Sequence, residues 1–107
     1  MQHIVINNLY NPTFTFTNCD GSPVDLSGST VKFILKRRKT DDDSAALLTK
    51  EYVNPETNII QFEFSAPETS LLSAGEAIGA IKIYREGDKN EEVWIDEYTI
   101  EEGVFND

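Results

Sequence analysis

His3 is the single histidine of the chain and Cys19 its single cysteine. Nucleophilic catalysis needs a nucleophile, a base and a group that orients the base. No such set can be built around a histidine near a terminus with no identifiable partner. Zinc takes four ligands from Cys, His and carboxylate. His3 and Cys19 cannot supply that set, and no Cys-x-x-Cys spacing occurs. Cys19 precedes Asp20, whose negative charge disfavours an activated thiolate, so it is read as structural or incidental. Asp41, Asp42 and Asp43 have the oxygen chemistry of a calcium ligand set. Three consecutive residues do not converge on one centre in an extended chain, and the alternate-position spacing of a calcium loop is absent. They read as a solvated loop, partly offset by Arg37, Arg38 and Lys39.

Asp96 stands between Trp94 and Tyr98 and is the most informative single acid. On a core face, burial would raise its pKa and mark a site. The favoured placement is a wet face or strand end, with Val93 and Ile95 turned inward. With 19 carboxylates in the chain, no chosen acid pair is informative. The glycines are scattered without a phosphate-cradle spacing. Aromatics interleave with Thr and Glu and not with Lys and Arg, which argues against a nucleic-acid platform. No catalytic, cofactor-binding or metal residue is therefore assigned. The expectation is a protein without cofactors that is not an enzyme.

The 107 residues carry 19 Asp+Glu against 9 Lys+Arg, a formal net charge of −10. That charge repels duplex nucleic acid and anionic membranes. The length allows one domain, taken as 1–107. Aromatic residues make up 10% of the chain, too many for a disordered acidic chain. No run approaches the ~20 apolar residues of a membrane helix. Residues 1–8 show no secretory signal. A lone cysteine suits assembly in a reducing cytoplasm.

The elements that must position any site are strands. Period-2 alternation marks Thr13 to Thr17, Val31 to Lys36, Ile60 to Phe64, Gly79 to Arg85 and Glu92 to Ile100. Shorter candidates are His3 to Ile6 and Leu47 to Val53. Val31, Phe33 and Leu35 share a face, as do Phe14 with Phe16, Ile60 with Phe62 and Phe64, and Ile81 with Ile83. Turn chemistry separates them at Asp20-Gly21, Asn54-Pro55 and residues 86–90. About seven short strands predict an antiparallel two-sheet sandwich, with a closed barrel as the alternative. Residues 65–75 read as one short helix. Ser65 and Glu68 stand at capping-box spacing, Pro67 fits the first turn and Gly75 the stop. Leu71 and Leu72 are expected to plug an end of the core.

The segment from Thr13 to Phe33 contains Asp20-Gly21-Ser22-Pro23-Val24-Asp25-Leu26-Ser27-Gly28 leading into Val31 and Phe33. It resembles the opening of immunoglobulin-like domains in tailed-phage virion proteins, similar to the N-terminal domain of the baseplate upper protein. Pro67, Thr69, Leu72 and Gly75 resemble the same family's short helix. The resemblance spans roughly residues 9–102. It implies an all-β, immunoglobulin-like antiparallel β-sandwich with a short helical crossover.

The function it implies is a non-enzymatic structural protein of a phage virion, in the neck, tail or baseplate, acting by docking. The alternatives are a capsid-surface decoration or a carbohydrate-binding module using Tyr10, Tyr52, Tyr84 or Trp94. The expected partners are other virion proteins, with no nucleic acid and no membrane. The chain would be monomeric when free and present in multiple copies in the particle, which is assembled in the host cytoplasm. Candidate docking edges are Ile4, Val5 and Ile6, together with Val104 and Phe105. Either segment could extend a neighbour's sheet by backbone hydrogen bonding.

Overall fold

The computed structural model describes residues 1–104, apart from the side chain of Asp88. Among these residues seven strands form: β1 (Gln2–Val5), β2 (Thr13–Thr15), β3 (Thr30–Lys36), β4 (Leu48–Val53), β5 (Ile59–Gln61), β6 (Gly75–Tyr84) and β7 (Glu91–Glu101). Among the described residues one α-helix, α1 (Ala66–Thr69), lies between β5 and β6. Five strands make one sheet in the order β1-β7-β6-β3-β4, and β2 pairs with β5 in a second. The architecture is the expected all-β sandwich. One pairing departs from the antiparallel expectation: β1 runs parallel to β7, placing Ile4 beside Ile100.

Alternation decides which side chains enter the core. Val31, Phe33 and Leu35 of β3 are buried, as are Ile81 and Ile83 of β6 and Tyr98 and Ile100 of β7. They meet Ile60, Phe62 and Phe64 from the opposite layer. Fully burying one such side chain is worth about 1.5–3 kcal/mol. The second layer is only partly a sheet. Beyond Gln61 the chain keeps bonding to residues 10–12, with Phe62 N–H donating to the Pro12 carbonyl at 3.0 Å and Phe64 N–H to that of Tyr10 at 2.8 Å. Aromatic side chains fill the span that regular strands do not. Phe33 is flanked by Phe62, Phe64 and Tyr98 at ring separations of 5.7, 5.4 and 6.3 Å.

The turns follow their sequence chemistry. Asp20 Oδ1 accepts from the Ser22 N–H at 2.9 Å, and Gly21 takes φ 88°. Asn54 adopts φ 51°, a left-handed conformation that asparagine tolerates. Its side chain also accepts from the Gly28 N–H at 2.8 Å, tying the β4–β5 turn to the approach of β3. Leu26, between these turns, is buried and plugs the core.

The capping box of α1 forms as its spacing predicts: Ser65 accepts from the Glu68 N–H, and Glu68 accepts from that of Ser65. The helix is shorter than expected, ending at Thr69. Gly75 starts β6 and does not stop the helix. Leu72 is buried, whereas Leu71 is 84% exposed, so only one leucine plugs the core. Thr69 is fully buried and its hydroxyl donates to the Asn8 carbonyl at 2.8 Å, anchoring α1 to the N-terminal segment.

Tyr10 and Tyr98 join their hydroxyls at 2.6 Å, which satisfies both polar ends inside the sandwich. Burial pushes the Tyr98 hydroxyl far above the usual phenol range, and the hydrogen bond with Tyr10 adds to it. The sign follows by linkage. The folded state holds Tyr98 neutral, while the unfolded chain ionises it near pH 10. Its contribution is fully present below about pH 10 and declines as pH rises through that value. Urea unfolding followed by Trp94 fluorescence should therefore lose stability above about pH 10, at up to about 1.4 kcal/mol per pH unit. Tyr98→Phe should flatten that decline. An equally steep decline in the variant would remove Tyr98 as its cause.

Candidate functional site

The side chains with possible acid–base chemistry are not assembled into a reactive set. His3 Nδ1 pairs with the Glu101 carboxylate at the exposed C-terminal end of β7. Cys19 is exposed in the loop between β2 and β3. Among the described residues, no group of three or more His, Cys, Asp and Glu is arranged to hold a metal ion. The carboxylates of Asp41 and Asp43 have different partners: Lys36 holds that of Asp43, and Arg38 lies 3.7 Å from that of Asp41.

Asp96 does share the inner-face parity of Trp94 and Tyr98, contrary to the sequence expectation. Its backbone partner on β6 is Gly79, on the same face as Ala77 and Ile81. Val93 and Ile95 are the exposed residues, 39% and 48%. Asp96 is nonetheless only half-buried. Hydrogen bonds from the Gln2 side chain at 3.1 Å and the Glu97 N–H at 2.8 Å hold its carboxyl below the usual range. An acid with lowered pKa remains ionised at neutral pH and is not poised as a proton donor.

The outer face of the large sheet carries a more specific constellation. A trough of about 230 Å³ runs across β3, β6 and β7. Its floor is a cross-strand row: Ile34 on β3 pairs with Ala80 on β6, and Ala80 pairs with Ile95 on β7. The small side chain between two isoleucines makes the depression. Ile78 extends the apolar floor toward one end. Lys32, Lys36, Lys39 and Lys82 rim it, four of the nine basic residues in the chain. Asp43 and Glu92 are the acidic members, leaving the lining two positive charges in excess within a chain of −10.

The register makes this arrangement costly for the sheet. Lys32 lies directly opposite Lys82, and like charges at facing positions are destabilising. Partial relief comes from the sides. Glu51 approaches Lys32 at 3.9 Å, and the Lys82 ammonium lies 5.2 Å from the Tyr84 ring centre. A break in the β6–β7 register between Ile81 and Lys82 leaves Val93 unpaired, and such bulges often re-aim side chains beside sites.

No protein-family model and no curated protein matches this sequence. A solved structure similar in fold is the PmoD soluble domain from Methylocystis sp. ATCC 49242 (Rockwell). It superposes with a TM-score of 0.55 at 12% sequence identity, covering 92% of this chain and 77% of that one. At that identity the likeness is one of fold.

These findings overturn the phage assignment. The matched structure is bacterial and not a virion component, and no phage family matches. The motifs behind the assignment are turn-and-plug chemistry that a β-sandwich of any origin can use. Asp20-Gly21 closes a turn, Leu26 plugs the core and Gly28 takes φ 74°. The virion function, with its capsid and carbohydrate-binding alternatives, falls with that assignment. The four aromatics named for a glycan platform are also dispersed. Tyr10 and Trp94 pack against Tyr98 on the inner face, while Tyr84 lines the outer trough.

The residues expected to form docking edges are in different environments. Ile4 is 1% exposed and belongs to the core, so its side chain offers nothing to a partner. Val5 is partly exposed and Ile6 packs against the core. The backbone of this segment pairs with β7 on one side, with Ile6 N–H donating to the Glu101 carbonyl at 2.9 Å, and β1 is an edge strand of the large sheet. Val104 is exposed. Phe105 lies outside the described residues.

Ile34, Ile78 and Ala80 are not singled out from sequence, and Ile95 is expected there to turn inward, whereas it is exposed on the outer face. The available signal was parity: Ile34 shares its face with Lys32 and Lys36, where a wet face calls for polar residues.

Proposed function

We propose that this chain is a non-enzymatic recognition module whose binding surface is the trough on the outer face of the large sheet. The facing pair Lys32 and Lys82, beside the apolar row Ile34–Ala80–Ile95, carries this reading. A sheet optimised for stability alone would avoid both an opposed lysine pair and half-exposed isoleucines on its wet face. Local rules broken together are expected where a surface serves binding. Aliphatic contact supplies affinity, and a few fixed charges supply orientation.

The remaining surface supports a restricted set of partners. An overall charge of −10 disfavours nucleic acid and anionic membrane. The same charge opposes self-association, so the free chain is proposed to be monomeric. No helix among the described residues is long and apolar enough to cross a membrane. Nitrogen-15 NMR with a library of small carboxylates and neutral analogues tests the surface. Amide shifts are expected at Ile34, Ala80, Lys82 and Ile95, and only with the carboxylates. Shifts clustered instead around Tyr10 and Asp96, or no shifts at all, would refute the proposed face.

A further inference from the structure

We infer that the trough receives an extended acidic and aliphatic segment of a partner protein, and that Asp43 is an internal stand-in which that segment displaces. This rests on the outer face being the recognition surface. The Lys36 side chain is 14% exposed, and its ammonium lies 2.5 Å from Asp43 Oδ1 and 2.8 Å from the Asp41 carbonyl. Asp43 itself is 67% exposed at its side chain, reaching over the trough from a short 3₁₀ turn (Asp43–Ala45). Lys36 holds the Asp43 carboxyl below its usual range, with smaller contributions from Lys32 and Lys82. Lys36 thus pairs with Asp43 in the trough that Lys32 and Lys82 also line, so a carboxylate position there is already filled by the chain's own acidic loop. Among the described residues, neither Lys39 nor Lys82 has a carboxylate within ion-pair distance.

The shape and charge select the occupant. From Ile78 to Tyr84 the trough follows β6 for about 20 Å, at ~3.3 Å per residue. An extended chain fits that path. A volume of about 230 Å³ is below that of typical small-molecule pockets. It suits one or two side chains of a longer segment, with the aliphatic one in the dip at Ala80. Nearby lysines govern a short acidic segment, because distant charges are screened beyond ~8 Å at physiological salt. A long polyanion would meet the full negative field.

The test titrates the nitrogen-15-labelled chain with a free peptide of residues 41–47. Shifts are expected at Lys32, Ile34, Ala80, Lys82 and Ile95, with none from the peptide whose three aspartates are replaced by asparagine. Asp43→Asn should tighten binding up to about fivefold, the scale of one released surface ion pair. Lys82→Glu should weaken it at least about tenfold. Lys39→Glu, on an exposed loop, should also weaken it and covers the case in which Lys82→Glu fails to fold. Trough shifts with equal affinity in wild type and Asp43→Asn would overturn the stand-in role and leave the binding face intact. Trough binding of octanoate but not of the peptide would overturn the partner segment in favour of a small carboxylate. Sedimentation of Asp43→Asn as a dimer would overturn it in favour of a second copy of this chain. Silence of the trough toward every probe would overturn both the occupant and the face.

Discussion

Gly79→Ala should destabilise the domain by about 3 kcal/mol, the upper end of typical overpacking costs. A β-carbon at Gly79 would lie 2.4 Å from Tyr98 Cε1 and 3.0 Å from Cδ1. No real side chain tolerates such a contact, so the ring or the strand must move. Neither can move freely. Gly79 is in β6, between β3 and β7, where it pairs with Leu35 and Asp96. The Tyr98 ring is boxed by Tyr10, Phe33 and Trp94 at 6.1, 6.3 and 6.1 Å. The cause is space and not backbone conformation, which makes the prediction specific. In a Tyr98→Leu background, Gly79→Ala should cost less than about 1 kcal/mol, a coupling of the kind that contacting residues show. Chemical denaturation of the four proteins in the cycle measures this. Strictly additive costs would show that Gly79 is required for some reason other than Tyr98.

Gly79 and Tyr98 also show how far the sequence could be read. The alternation that sends Ile81 and Ile83 inward places Gly79 on the same face, and Tyr98 was assigned to the aromatic face of β7. Their contact was not legible, because register across a hairpin depends on the bulge at Val93. Asp96 carries two opposed signals. Parity put it inside with Trp94 and Tyr98, but charge argued for water. Both are satisfied by a half-buried carboxylate of inward parity that is hydrogen-bonded to Gln2 and to the Glu97 N–H. Strand existence was legible because Phe14, Phe33, Phe62 and Ile81 each anchor an alternating run. The parallel pairing of β1 was not, since Ile4-Val5-Ile6 has no alternation and its partner lies at the far end of the chain.

The candidate face was legible only in fragments. Alternation in β3, with Val31, Phe33 and Leu35 inward, implies that Lys32 and Lys36 point outward, but a net charge of −10 gives no hint of a basic face. Pairing Lys32 with Lys82, and Ile34 with Ala80 and Ile95, requires the strand order β7-β6-β3, which no local pattern encodes. Asp41 to Asp43 looked like a uniform acidic loop. Only the fold separates Asp43, held by Lys36, from its two neighbours.

Phe33→Ala should be the most damaging core truncation, costing about 4 kcal/mol. Phe33 is fully buried at the centre of β3 and is the ring through which the layers communicate. Phe14 reaches it from β2, Phe62 and Phe64 from the segment beyond β5, and Tyr98 from its own sheet. A sandwich with two full sheets could spread such a loss over many strand pairs. Here β2 and β5 share only three register pairs, from Thr13–Gln61 to Thr15–Ile59. The second layer therefore depends on side-chain packing more than on its own ladder. Removing Phe33 takes away the surface on which that layer rests and leaves a cavity that rings on three sides cannot fill without moving backbone. Against a typical domain stability of about 5–15 kcal/mol, the loss should leave the protein marginal. Hydrogen exchange should then show residues 10–16 and 58–64 opening together, before β3, β6 and β7. If the large sheet opened first, or if Phe33→Ala cost under about 2 kcal/mol, the second layer would have to be held by its own backbone bonds after all.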